Sequence, residues 1–177
     1  MEHHKLIDKT NLTLFINSNA DDDHVSHLKE VFDALPPHFM EKNPTIDSAV
    51  IRRVKTDGMS PGLEALCDLC DIYTTPMELP ELGGVTLKHF SLPMDAVDDK
   101  TNNASVISFV YYGDFCILFP GDMEKKGWEI LMERDPEFVK CLRDVKVFVA
   151  SHHGRDGGYC AEPVSYTHLR AHETTAS

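Results

Sequence analysis

Ser105-Val-Ile-Ser-Phe-Val-Tyr-Tyr112-Gly113-Asp114-Phe115-Cys-Ile-Leu-Phe119-Pro120-Gly121-Asp122 holds two runs of strand-forming residues separated by Gly113 and Asp114. The spacing predicts a β-hairpin whose second strand stops at Pro120-Gly121-Asp122. Beyond it, Met123 to Arg134 has helical periodicity around Trp128 and Leu131, and a second short helix is predicted from Pro136 to Leu142. Val145 to Ala150 is an almost continuous apolar run, which reads as a buried strand ending at Ser151-His152-His153-Gly154. Upstream, Val85 to Phe90 is a further strand, and Ser91 to Asn103 is polar and irregular.

Nearer the N-terminus the alternation of element types continues. Leu12 to Ile16 predicts a strand, and the polar cluster Asn17 to Asp23 predicts a loop. From His24, the apolar residues Val25, Leu28, Val31, Phe32 and Leu35 recur at helical spacing until Pro36 and Pro37 stop them. Ala49 to Val54 reads as a strand. Gly62 to Tyr73 is helical, with Ser60 and Pro61 as cap and first-turn residue, and Thr74 to Gly84 is loop-like. Strands and helices mixed in this way place the chain in the α+β class.

The 177 residues fit one domain, and 42% hydrophobic content suffices for a core. Seventeen basic against 29 acidic residues give a net charge of −12, which argues against extensive contact with nucleic-acid backbones or anionic membranes. No apolar run approaches the roughly 20 residues of a membrane span, and the first residues lack a signal-peptide core. A cytoplasmic location is the expectation, and five scattered cysteines agree with a reducing compartment. From Val164 to Thr174 the chain resembles translated sequencing-adapter DNA. Residues 164–177 are therefore set aside as an artefact, His168 and His172 with them, and the domain is expected over 1–163, incomplete at both ends.

Three predicted strands end in groups able to bind a metal: Asn19-Ala-Asp21-Asp22-Asp23-His24, Gly121-Asp122 and His152-His153-Gly154. Loops at strand ends converge on one sheet edge, and mixed carboxylate and imidazole donors suit zinc, manganese or iron. Taken singly, Asp21 to Asp23 reads as a solvated or helix-capping turn, Asp122 as a cap, and the paired histidines as strand-end residues. Their ordered combination tips the reading to a metal site.

These strings, together with Asn102-Asn103-Ala-Ser105 and Ala150-Ser151-His152-His153-Gly154-Arg155, resemble the metallo-β-lactamase superfamily over residues 12–160. The resemblance is strongest to the hydrolase domains related to the ComEC competence channel. It implies a sandwich of two β-sheets flanked by helices, with one or two divalent metal ions, zinc first and manganese second. It also implies a metal set of Asn19, Asp21, Asp23, His24, Asp122, His152 and His153. Asp122 would bridge two ions; Asp23 or Asp21 would position a metal-activated water as nucleophile. Because neighbouring side chains on extended backbone point opposite ways, one imidazole of the pair is expected to ligate. The other would orient substrate or carry a proton, and His153 joins Asp21 and Asp23 in the catalytic set. Asn19 stands where the pattern has histidine, and an amide oxygen is a poorer zinc ligand.

The implied activity is metal-dependent hydrolysis of a phosphodiester or another small molecule. Two rivals are a lactam or lactone hydrolase and a non-catalytic metal-binding or interaction module. A calcium-loop reading of Asn19, Asp21, Asp23 and Glu30 fails because His24 occupies the glycine position and Leu12 to Ile16 is not helical. Cys67 and Cys70 have no second pair and read as core, and Tyr111, Tyr112 and Phe115 read as sheet packing.

Overall fold

The computed structural model describes residues 12–75 and 78–167. They form an α+β protein with two sheets and helices. The chain divides into two units, residues 1–79 and 80–177.

In the first unit, β1 (Leu12–Ile16) pairs in parallel with β2 (Pro37–Glu41), from Leu12 opposite Pro37 to Ile16 opposite Glu41. The sequence pattern had indicated only a helix stop at Pro36 and Pro37. A proline is tolerated at the first residue of a strand, where its missing N–H breaks no interior ladder bond. Between the strands, the expected single helix is two pieces, α1 (Asp22–Val25) and α2 (Leu28–Ala34), with Ser26 and His27 at the break. Val25 and Leu28 are buried, so the apolar periodicity survives the interruption.

Ala49 to Val54, expected as a strand, is helical: α3 spans Ser48–Val54. Asp47 decides this locally, its side chain accepting the N–H of Val50 at 2.8 Å as a helix cap. Ile51 is then buried, while Arg52 faces outward and forms a two-pronged ion pair with Glu64. Helix α4 (Pro61–Ile72) starts as expected, with Ser60 Oγ accepting the Leu63 N–H at 3.2 Å and Pro61 in the first turn. Its face Leu63, Leu66, Cys67 and Cys70 fills the core. A methyl group on Gly62 would overlap the carbonyl of Val25, so only glycine lets α4 approach α1 this closely. Burial pushes the Cys70 thiol up to about 11, which keeps it protonated and inert, in accord with its core assignment.

The second unit is a four-stranded sheet in the order β3-β4-β5-β6. Strands β3 (Val85–Phe90), β4 (Ile107–Tyr112) and β5 (Phe115–Phe119) are antiparallel neighbours. The hairpin turn falls at Gly113, whose φ of 56° favours glycine. Cross-strand pairs Tyr111 with Cys116 and Tyr112 with Phe115 account for the aromatics as sheet neighbours. Helices α5 (Lys125–Arg134) and α6 (Pro136–Leu142) follow, α6 capped by Asp135. The polar stretch before β4 contains 3-10 turns at Met94–Val97 and Asn102–Ala104.

Strand β6 (Val147–Phe148) pairs in parallel with β5 but is shorter and more exposed than its apolar sequence suggested. Val145 is buried, whereas Val147 and Val149 are 42% and 39% exposed. A final helix, α7 (Ala161–Tyr166), runs across position 164; His168 and His172 lie outside the described residues. The core of this unit is aromatic. Phe138 is fully buried, with ring centroids 5.2, 5.8 and 5.9 Å from Phe90, Phe109 and Trp128.

Candidate metal centre

Parallel pairing continues past the end of β6 and carries the histidine pair to the loop after β5. The Val149 N–H donates to the Leu118 carbonyl at 3.0 Å, and three residues later the His152 N–H donates to Gly121 at 3.1 Å. Ser151 reinforces the join: its hydroxyl donates to the Met123 carbonyl at 2.5 Å. Gly158 packs so closely on Ser151 and His152 that a methyl there would overlap both.

Asp122 sits in this junction, 3% exposed. Its backbone N–H donates to Ser105 Oγ at 3.1 Å, tying the β5 loop to the residues leading into β4. His153 Nε2 lies 3.6 Å and His152 Nε2 4.0 Å from Asp122 Oδ2. Both imidazoles therefore approach one carboxylate oxygen. The expectation that they point opposite ways assumed extended backbone, and the backbone here is left-handed: φ is 51° at His152 and 54° at His153. Successive left-handed non-glycine residues are costly, on the order of 1 kcal/mol or more each, and such conformations cluster at functional sites.

In the first unit, Asp23 and His24 lie on α1, immediately after the loop that follows β1. Ser18 Oγ is 3.3 Å from His24 Nδ1, a contact that sets the rotation of the ring. Asn19 is buried, and its amide donates to Asp21 Oδ2 at 2.9 Å. Asp21 also forms an ion pair with Lys55, whose ammonium is pushed to a lower pKa by burial. The carboxylate of Asp21 is thus engaged by an amide and an ammonium. Asp23 and His24 in the first unit, and Asp122 and His153 in the second, are side chains whose ligand atoms could hold a metal ion.

Glu124 was not singled out by sequence reasoning. Asn102 and Asn103 donate to its two carboxylate oxygens at 3.2 and 3.4 Å, and its Oε1 is 3.7 Å from His152 Nδ1. Asn103 in turn accepts the N–H groups of Glu124 and Gly127 at 3.2 and 3.1 Å. Gly127 is required there, since a methyl would overlap the Asn103 amide and the Met123 sulfur. The only available signal for Glu124 was its place two residues after Asp122.

The donor chemistry fits a divalent cation of the zinc or manganese type: imidazole nitrogens and carboxylates, with no thiolate among them. Comparison with family models, curated proteins and solved structures gives no match.

Proposed function

We propose that this chain is a metal-dependent hydrolase domain of metallo-β-lactamase type, and that Asp23, His24, Asp122 and His153, which the motif resemblance assigns to the metal, bind one divalent cation. The observation that carries the reading is the convergence of both imidazoles on the buried Asp122 carboxylate. The left-handed backbone at His152 and His153 supports the same reading, because a relaxed extended chain would turn one ring away. The pairing of Asp21 with Lys55 favours one ion over two, since an ammonium already supplies a positive charge in that loop.

When bound, a zinc ion supplies water activation near neutral pH and charge stabilisation. The chain's own residues hold the donor atoms in place. Ser105 and Ser151 fix the Asp122 loop, and Ser18 fixes the rotation of the His24 ring. In this reading Asp23 binds the cation, while Asp21 is engaged by Lys55. A phosphodiester is the proposed substrate class, on the strength of the motif resemblance.

A second reading, a metal-binding module without catalysis, is favoured by Asn19 and by the engagement of Asp21. Zinc titration followed by turnover of bis(p-nitrophenyl) phosphate separates the two. The proposal expects one zinc per chain and zinc-dependent diester hydrolysis, lost on chelation. Zinc bound with no hydrolysis of a diester, lactam or lactone leaves the module reading; lactam or lactone hydrolysis alone changes the substrate class.

A further inference from the structure

Glu124 is held on one side by Asn102 and Asn103 and faces His152 on the other. Buried Nδ1 of His152 has no hydrogen-bond partner and looks across 3.7 Å to Glu124 Oε1. The opposite ring nitrogen, Nε2, has Arg155 Nη1 at 3.5 Å and Asp122 Oδ2 at 4.0 Å. A guanidinium donates and never accepts. Nε2 faces that donor and Nδ1 faces the Glu124 carboxylate, and the two together favour the proton of the neutral ring on Nδ1.

We infer that Glu124 is a positioning residue of the metal centre: its carboxylate faces Nδ1 of His152, holds the ring proton on that nitrogen and so keeps the lone pair on Nε2. The purpose of this arrangement rests on the metal reading above, because a histidine that ligates through one nitrogen commonly donates the other to a carboxylate. Asn102 and Asn103 are explained by the same geometry, as the groups that stop the Glu124 carboxylate from rotating away. Gly127 leaves room for the Asn103 amide, so the requirement for glycine in α5 belongs to this device too.

The tautomer is read on the metal-free, 15N-histidine-labelled chain by two-bond proton–nitrogen correlation at about pH 8, above the ordinary imidazole pKa of about 6.5. The His152 signals are identified by their loss in His152→Gln. Because no metal is present, this readout is independent of whether a cation binds. The expected pattern is a proton on Nδ1 of His152 in the unsubstituted chain, retained in Glu124→Gln, whose carbonyl still accepts, and shifted toward Nε2 in Glu124→Ala. Zinc affinity, measured by chelator competition, is expected to fall about 10–100-fold in Glu124→Ala and less in Glu124→Gln. A proton on Nε2 in the unsubstituted chain, or an unchanged tautomer in Glu124→Ala, overturns the assignment. A general loss of structure in Glu124→Ala would scatter all the histidine signals, and Glu124→Gln then carries the test: its loss of the Nδ1 proton would contradict the inference.

Discussion

Asp122→Ala is expected to lower zinc affinity by at least about 100-fold, the upper end of what removal of a supporting group alone costs, since here a donor itself is removed. Asp122 is 3% exposed and has both His152 and His153 within 4.0 Å of its carboxylate. Asp122→Asn is the companion variant. It keeps the size of the side chain and the backbone bond to Ser105, but an amide oxygen is a weak zinc ligand. Chelator competition gives the affinity. An affinity within about threefold of the unsubstituted chain would remove Asp122 from the ligand set.

Phe138→Ala has the largest expected effect on stability, about 3–5 kcal/mol. The ring is fully buried and meets Phe90, Phe109 and Trp128 edge-on or tilted, with centroids 5.2–5.9 Å away. Those three rings come from β3, β4 and α5, so they cannot close on the void without moving the backbone of the sheet. The loss combines the transfer energy of the ring with a residual cavity, and the aromatic pairs add to it. Urea unfolding should show a lower midpoint at unchanged slope. A loss below about 1 kcal/mol would mean that this aromatic cluster is not the organising core of the second unit.

Much of the second unit was legible because its signals are local. Gly113 and Asp114 between two strand-forming runs, and Asp135-Pro136 before an apolar-periodic segment, are turn and cap chemistry that acts within a few residues. Ser60-Pro61 marked α4 in the same way. Ala49 to Val54 misled because its β-branched residues outweighed the cap at Asp47, and contact of α3 with α4 completes the helix. Strand β2 was hidden by its leading proline, and its partner β1 lies more than 20 residues earlier. The apolar run at 145–150 could not reveal that β6 lies at a sheet edge.

The site divides along the same line. Asp122 and the histidine pair were marked by following apolar strands, and their mutual approach was an expectation that the pairing of β5 with β6 explains. The left-handed conformation of His152 and His153 was not legible, since neither residue is a glycine. Nor was the ion pair of Asp21 with Lys55, which joins residues 34 positions apart. Glu124 drew no notice because its significance comes from Asn102, Asn103 and His152 together, all of them far from it in sequence.

A crystal soaked in zinc, with anomalous scattering recorded on either side of the zinc edge, tests the central proposal most directly. One strong peak per chain is predicted, with imidazole nitrogens of His24 and His153 and carboxylate oxygens of Asp23 and Asp122 around it. A peak touching only one of the pairs Asp23–His24 and Asp122–His153, or no peak at either, would contradict a cation shared between them.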